Sequence, residues 1–262
     1  GTAFRDVLRD GMGRVTGAVL KGPDGALTEV RAPLVIGADG RRSTVARRVG
    51  SPVTRGAAHT IAAIYAHVQG LRNEGYRWYY APALGAGAIP TNDGAHCVFV
   101  GATPDRMRAE IARAGTAPAL GRLAALTNPA LGEDLARATA VSAPVVFSGA
   151  HGFLRQAAGP GWALVGDAGY FKDPLTAHGM TDAFRDAELL ARAALAGGDA
   201  ALADYAATRD ALSDALFAVT DRIASLSWSL DELKADHLEL NRIMKDEQAW
   251  IAERFADARR AA

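Results

Sequence analysis

Cysteine is nearly absent from this chain of 262 residues: only Cys97 is present, so no intrachain disulfide can form. Disulfides belong to oxidising compartments, so we expect a reducing, cytoplasmic setting. An excess of either charge is also missing, because 29 basic residues balance 29 acidic ones. This balance argues against nucleic acid or an anionic membrane surface as a partner. No apolar run has the length of a membrane span, so no integral membrane association is expected.

Three further patterns are missing. The histidines show no metal-ligand spacing, so we assign no metal. There is no strand–Gly-x-Gly-x-x-Gly–helix unit either, because Asp10-Gly-Met-Gly13 is not followed by apolar residues at helical spacing. Finally, the chain begins at Gly1 instead of Met, within a predicted strand. We therefore expect the natural amino terminus to lie upstream.

Two segments more than a hundred residues apart share one pattern. They are Leu34-Val-Ile-Gly-Ala-Asp-Gly-Arg-Arg-Ser-Thr-Val-Ala-Arg47 and Trp162-Ala-Leu-Val-Gly-Asp-Ala-Gly-Tyr-Phe-Lys-Asp-Pro-Leu-Thr-Ala-His-Gly-Met180. Each is a short apolar run that ends in a Gly/Asp turn before a helix start, which is typical of a buried parallel strand. Leu34–Ala38 is expected to be buried on both faces. Ligands bind beyond the carboxyl ends of such strands, so we expect one ligand held from two sides.

In the second segment, Gly166 allows a sharp turn and Asp167 projects a carboxylate from the strand end, where it can accept hydrogen bonds from sugar hydroxyls. Pro174 and Gly179 bracket a loop that ends at a helix amino terminus, which favours negative charge. A reduced flavin carries its negative charge at the N1/C2 carbonyl and would suit this position. Taken as a dipeptide, Gly166-Asp167 is a weak signal, because an ordinary turn before a helix would give it too. The whole arrangement of strand, Gly-Asp-Ala, Asp-Pro, Gly and a helix that carries Asp182 and Glu188 is much rarer by chance.

In the first segment, Gly37 and Gly40 permit a tight turn around Asp39. A short basic helix then begins with Arg41, Arg42 and Ser43. The serine can cap this helix, and the arginines can bind a phosphate-bearing ligand. The alternative is a solvated basic turn.

The remaining pattern predicts a mixed α/β fold. Strands near 3–8, 14–20 and 26–31 would form an antiparallel meander. Residues 59–101 are β-rich, 105–137 helical with breaks at 116–118 and 127–129, and 140–147 a strand. Helices follow over 181–196 and from the Ser229-Leu-Asp-Glu232 capping box to about residue 257.

Together, the two segments resemble the para-hydroxybenzoate hydroxylase-type flavin monooxygenases, the single-component class that uses FAD and NADPH or NADH. The first family motif is an apolar strand, Asp-Gly, two variable residues, Ser and a nearby Arg; here it is Asp39-Gly40-Arg-Arg-Ser43 with Arg47. The second is Gly-Asp with a downstream Pro and Gly, matched by Gly166-Asp167, Pro174 and Gly179.

The resemblance implies a Rossmann-like FAD/NAD(P)-binding domain that lacks its first βαβ unit, formed by residues 1–50 and 148–200. A β-rich substrate domain over 51–147 and C-terminal helices over 201–262 would complete the chain. The implied FAD contacts are Asp39, Gly40, Gly166, Asp167, Pro174, His178, Gly179, Met180 and Thr181. Arg41 and Arg42 would lie on the NAD(P)H path.

By this resemblance, NAD(P)H reduces the flavin, O2 adds at its C4a carbon, and the resulting hydroperoxide transfers oxygen to a small organic substrate. Trp78 and Tyr80 would line the substrate pocket from a strand, although aromatic strands are more often core. His178 is either a neighbour that tunes the flavin or a loop histidine with a structural hydrogen bond. No general acid or base is identified.

Two other functions stay open. Related flavoprotein halogenases also place Asp-Pro after Gly-Asp, as Asp173-Pro174 does here, and prenyl reductases share the fold. The paired tryptophans and the catalytic lysine of halogenases are not found. A non-catalytic remnant that no longer binds FAD is the third hypothesis, based on the missing glycine-rich unit. The sequence leaves the oligomeric state open.

Overall fold

The computed structural model describes residues 1–255 as fifteen β-strands and seven α-helices. The strands are β1 (Ala3–Arg9), β2 (Val15–Lys21), β3 (Leu27–Arg31), β4 (Val35–Gly37), β5 (Val53–Gly56), β6 (Ala62–Gln69), β7 (Arg77–Ala81), β8 (Leu84–Pro90), β9 (His96–Ala102), β10 (Thr139–Ala140), β11 (Val145–Phe147), β12 (Phe153–Arg155), β13 (Ala158–Gly159), β14 (Trp162–Leu164) and β15 (Tyr170–Phe171). The helices are α1 (Thr44–Val49), α2 (Pro104–Ala114), α3 (Thr116–Thr127), α4 (Pro129–Arg137), α5 (Gly179–Ala196), α6 (Gly198–Ala224) and α7 (Leu230–Phe255). The predicted mixed α/β class is confirmed.

The described chain divides into two compact units. The first comprises residues 1–57, 152–218 and 241–255, and the second comprises 58–151 and 219–240. Both Gly/Asp turns belong to the first unit, and the β-rich middle block belongs to the second. Within the described residues no helix is long and apolar enough to cross a membrane.

The first unit is built on three small sheets. The predicted meander is confirmed as the antiparallel sheet β1-β2-β3, and the others have the orders β15-β12-β5 and β13-β14-β4. In the last of these, β14 runs parallel to β4. In one hydrophobic core of the first unit, α1 packs against β14 through the buried residues Val45, Ala46 and Trp162.

One expectation for the first segment is wrong: β4 is not buried on both faces. Ile36 is 46% exposed, while Gly37 beside it is buried. Among the described residues β4 pairs only with β14 and so lies at the end of its sheet. An apolar run by itself does not reveal whether a strand is central or at an edge.

The second unit contains a six-stranded antiparallel sheet in the order β10-β6-β9-β8-β7, with β11 also paired to β6. Its core lies between one face of this sheet and α3, where Ile64, Val98, Leu120 and Leu123 are buried. The sequence did not predict β8, because Leu-Gly-Ala-Gly-Ala-Ile-Pro has few of the branched residues typical of strands. The small residues are required here: a Cβ on Gly87 would lie 2.4 Å from the Phe99 ring.

Further boundaries differ in detail. The strand predicted over 140–147 is two strands, β10 and β11, separated by residues 141–144. The helical stretch is interrupted after Ala114 and at Asn128, and Thr116-Ala-Pro118 starts α3 instead of breaking it. The capping box is confirmed, since the Ser229 amide donates to Glu232 at 2.7 Å. The predicted end of the last helix near 257 lies outside the described residues.

Gly37 allows the close packing of β4 against β14 and α1. A Cβ at this position would lie 2.7 Å from Leu164 Cδ2 and 2.9 Å from Val45 Cβ. We expect Gly37→Ala to lower the free energy of unfolding by about 1–3 kcal/mol through overpacking. Urea unfolding followed by circular dichroism measures this effect. Gly56→Ala is the control, because no atom lies within 4 Å of its added Cβ; equal midpoints for the two variants would contradict the packing argument.

Candidate functional site

The carboxyl ends of β4 and β14 lie side by side. The two strands pair in parallel with Val35 opposite Trp162 and Gly37 opposite Leu164, and the Val165 amide donates to the Gly37 carbonyl at 3.0 Å. The Tyr205 hydroxyl donates to the Leu164 carbonyl at 2.6 Å and so anchors the end of β14. Two turns separated by more than a hundred residues therefore start from the same sheet edge.

The Asp39 side chain is occupied by hydrogen bonds from the residues that start α1. Its carboxylate accepts hydrogen bonds from the Ser43 hydroxyl at 2.5 Å, the Thr44 amide at 2.6 Å and the Val45 amide at 3.1 Å. Ser43 in turn accepts from the Ala46 amide, as predicted for a capping serine. Burial raises the pKa of Asp39, but these hydrogen bonds outweigh it and lower the pKa below its usual value. The carboxylate thus organises the turn in which Gly40 adopts φ +75°.

Arg41 connects the two segments. Its guanidinium lies 5.1 Å from the centre of the Phe171 ring, and its charge opposes the rise in the Asp167 pKa that burial causes. Arg42 is exposed, and its carbonyl accepts a hydrogen bond from Arg47. Of the predicted arginine pair, Arg41 therefore faces the second turn.

Asp167 lies directly beyond β14 and is exposed. Partial burial raises the pKa of its carboxyl group, against the opposing charges of Lys172 and Arg41. Gly166 before it adopts φ +55°, and a Cβ there would lie 3.3 Å from Ala183 on α5. The sharp turn thus lets the strand end pack against the helix while Asp167 stays accessible to a ligand.

The loop after β15 leads into the amino terminus of α5. The Asp173 side chain accepts a hydrogen bond from the Leu175 amide, which closes a short 3-10 turn that begins at Pro174. Helix α5 begins at Gly179, and the residue before it supplies no side-chain cap. Gly179, Met180 and Thr181 are exposed, and no atom lies within 4 Å of a Cβ built on Gly179.

This helix start suits an electron-rich ligand. The first-turn amides of a helix have no intrahelical acceptor, and the helix dipole favours negative charge. Helix α5 has 18 residues and no side-chain cap at its start. Its first residue is a glycine with open space beside it, so a flat ring can approach the backbone there. The first-turn amides of α5 fit the ring portion of a flavin nucleotide, and the exposed Asp167 carboxylate fits its sugar portion.

His178 differs from the residues around it because it is buried, with 3% of its surface exposed. Its Nε2 lies 2.6 Å from Glu247 Oε2 on α7. Burial raises the pKa of Glu247, but this hydrogen bond and the nearby Arg185 charge lower it below its usual value. The histidine therefore has a structural partner in the last helix.

A buried ionic cluster lies behind the start of α5. It consists of Lys172, Asp182, Arg185, Asp186 and Glu247. Lys172 pairs with Asp182, and Arg185 pairs with Glu247 and donates to Asp186 at 2.7 Å and to Ser213 at 2.9 Å. We use the name ionic cluster for these five residues.

The sequence did not predict this cluster. The only available signal was the i, i+3, i+4 spacing of Asp182, Arg185 and Asp186, which places them on one helix face. Charged helix faces are usually solvated, so the pattern did not point to burial. By contrast, Glu188 on the same helix is exposed and pairs with Arg192.

The side chains of His178, Asp182 and Glu247 offer ligand atoms within 4.8 Å of one another. Both carboxylates are already paired with buried cations, Asp182 with Lys172 and Glu247 with Arg185. A metal ion would have to displace these cations, so we attribute the arrangement to ion pairing.

The aromatic residues predicted for a substrate pocket belong to the second unit, on β7. Trp78 is 41% exposed and contacts the Phe99 ring edge-on at 5.1 Å. Tyr80 contacts the rings of Trp228 and His237, and burial raises the pKa of Tyr80 to about 12. Tyr79 between them packs against the core cluster, so Trp78 and Tyr80 share the opposite sheet face.

The fold places two turns at the carboxyl ends of two parallel strands, the edge at which α/β proteins bind nucleotide-type ligands. The family described as FAD binding domain matches residues 1–220. The chain belongs to this family, which supports its assignment as part of an FAD-dependent oxidoreductase. No curated protein matches the chain.

Several solved structures share the fold. A flavin-dependent brominase is 18% identical, with a TM-score of 0.72 over 95% of this chain and 70% of its own. The myxobacterial chondrochloren halogenase is 21% identical, with a TM-score of 0.69 over 94% of this chain and 62% of its own. Aklavinone-11 hydroxylase, in a ternary complex with FAD and aklavinone, is 20% identical, with a TM-score of 0.63 over 84% of this chain and 42% of its own.

The hydrogen bonds to Asp39 predict a stabilising role. We expect Asp39→Ala to lower the free energy of unfolding by about 0.5–2 kcal/mol at pH 7, as for other lost helix caps. Because the folded state lowers the pKa of Asp39, this stabilisation is present above its unfolded pKa of 3.8 and is lost as pH falls through the lower folded value. Urea titrations at pH 7 and pH 3 measure the difference. Asp204→Ala, at an exposed position of α6, is the control; an equally small loss in both variants at pH 7 would contradict the capping role.

Proposed function

We propose that this chain is part of a cytoplasmic FAD-dependent monooxygenase that consumes NADPH or NADH and transfers oxygen from O2 to a small organic substrate. The observation that carries the proposal is the parallel pairing of β4 and β14, which brings Asp167 and the turn at Asp39 to one sheet edge. Membership in the FAD-binding family over residues 1–220 supports the choice of cofactor. The cytoplasmic location is proposed because Cys97 is the only cysteine.

In this proposal, Asp167 accepts hydrogen bonds from the ribityl or ribose hydroxyls of FAD. Its exposure and its position beyond β14 support this role. The backbone of Gly179, Met180 and Thr181 contacts the isoalloxazine ring, and Pro174 and Gly166 shape the two loops beside it. Asp39 acts by fixing the turn at Gly40, since its carboxylate is already occupied by α1.

When bound, FAD supplies the redox chemistry that no side chain of this site can perform, accepting hydride and activating O2. The protein residues orient the reactants and exclude water. Arg41 and Arg42 provide positive charge for the phosphates of NAD(P)H, and the Arg41 charge opposes the rise in the Asp167 pKa that burial causes. The β-rich second unit is the proposed substrate domain, with Trp78 and Tyr80 on its substrate-facing surface.

Halogenation is the second candidate, because the Asp173-Pro174 dipeptide follows the Gly-Asp turn as it does in flavin-dependent halogenases. Mass spectrometry of the products separates the two reactions: oxygen insertion adds one oxygen atom, and halogenation replaces hydrogen with chlorine or bromine. The assay contains FAD, NAD(P)H, O2 and halide with a panel of phenolic and pyrrolic compounds. Halogenated products alone would reject the monooxygenase proposal.

Asp167 is expected to determine FAD affinity. In the full-length protein, we expect Asp167→Ala to weaken FAD binding by about tenfold or more, because hydrogen bonds to a charged acceptor are lost. Flavin absorbance after gel filtration and titration by flavin fluorescence measure occupancy and affinity. The control is Glu188→Ala, which removes an exposed carboxylate farther along α5. Full flavin retention in Asp167→Ala, with an unchanged circular dichroism spectrum, would count against the assignment.

Arg41 is expected to act in reduction by NAD(P)H. Replacing Arg41 with Gln removes a charge that faces the site, so we expect stopped-flow flavin reduction to slow by about tenfold at normal flavin content. Arg48→Gln, on the exposed face of α1, is the matched control. The role is rejected if the Arg41 and Arg48 variants are reduced at the same rate as the unmodified protein.

A further inference from the structure

Lys172 is a buried lysine that directly adjoins the proposed flavin site. It follows β15 in the loop to α5, and 5% of its surface is exposed. Its ammonium group pairs with Asp182 and lies 5.1 Å from the centre of the Tyr170 ring. The function proposed above gives this residue no role.

Asp182, the partner of Lys172, lies where its charge can affect a bound flavin. It belongs to the first turn of α5, the turn whose amides are proposed to face the flavin. A carboxylate in that turn opposes negative charge on a ligand at the same helix end. Lys172 cancels this charge from one side, and Arg185 contacts the other carboxylate oxygen at 3.3 Å.

We propose that Lys172 is a positioning residue of the flavin site, which holds Asp182 in place and supplies the positive charge that favours reduced over oxidised flavin. The inference rests on the proposed function. Two-electron reduction with uptake of one proton leaves the bound flavin with one additional negative charge. While Lys172 is protonated, the charge of its ammonium group stabilises that negative charge.

The surroundings of Lys172 make its charge sensitive to pH. Burial and the neighbouring Arg185 lower the pKa of Lys172 to about 7, against the opposing effects of Glu247, Asp186 and Asp167. The other groups that face Lys172 are the Asp182 carboxylate and the Tyr170 ring. His178 contacts Glu247. Lys172 is therefore charged at pH 6 and largely neutral at pH 8.5, so its effect on the flavin should fade over that interval.

The test is the flavin midpoint potential of the full-length, FAD-loaded protein, titrated with dithionite at pH 6 and pH 8.5. Lys172→Met keeps the length of the side chain and removes its charge, whereas Lys172→Arg keeps a charge at both pH values. At pH 6 we expect Lys172→Met to lower the ratio of reduced to oxidised flavin about tenfold, which is ~30 mV for a two-electron couple. At pH 8.5 this variant and the unmodified protein should agree.

At pH 6, Lys172→Arg should have the same ratio of reduced to oxidised flavin as the unmodified protein. At pH 8.5 its ratio should be about tenfold higher, because the arginine is still charged. This comparison alone tests the proposal if Lys172→Met does not fold. Lys245→Met, an exposed lysine on α7, should behave like the unmodified protein throughout.

Two results overturn the proposal: unchanged potentials in both Lys172 variants, or a difference in Lys172→Met that is equal at the two pH values, as a purely structural role would give. Absence of FAD from the unmodified protein would reject the proposed function itself. Normal FAD content with potentials independent of Lys172 would reject this inference alone.

Discussion

Parallel pairing of β4 with β14 is the constraint on which the proposed site depends. Each strand is only three residues long, yet their register places Gly37 opposite Leu164 and so brings both Gly/Asp turns to one edge. Close packing maintains this register, because Gly37 leaves no space for a side chain between Leu164 and Val45. Hydrogen bonding from Tyr205 to the Leu164 carbonyl extends the same constraint to α6. Strand pairing and close packing thus fix the positions of the two turns, and exposed side chains such as Asp167 can contact a ligand.

The two acidic turns have different roles despite their similar sequences. Asp39 satisfies three donors around the start of α1, so it shapes the turn from within. Asp167 stays exposed and remains available to accept hydrogen bonds from a ligand. This division fits a site in which one turn provides shape and basic residues and the other provides direct contacts.

The ionic cluster introduces charge behind a site that otherwise consists of backbone and exposed polar groups. Burying these charges is costly unless each is paired, and Arg185 achieves this by contacting Asp182, Asp186 and Glu247 at once. Because Glu247 also contacts His178, the last helix holds the residue that precedes α5. The carboxyl-terminal helix therefore contributes to the loop before α5 in the proposed site, although His178 and Glu247 are 69 residues apart in the sequence.

Local patterns in the sequence were sufficient for the meander, the strand–turn–helix order of both segments, the Ser43 cap and the Ser229–Glu232 capping box, because turns and caps depend on neighbouring residues. The resemblance of the two segments to flavin monooxygenases implied FAD as the ligand, which the family match supports. Local patterns could not give the exposure of Ile36, which depends on which strands flank β4. They also could not reveal that Lys172, His178 and Glu247 meet, because pairing between buried charges depends on contacts among distant segments. Only the tertiary structure decided which charged residues face water and which support the proposed site from within.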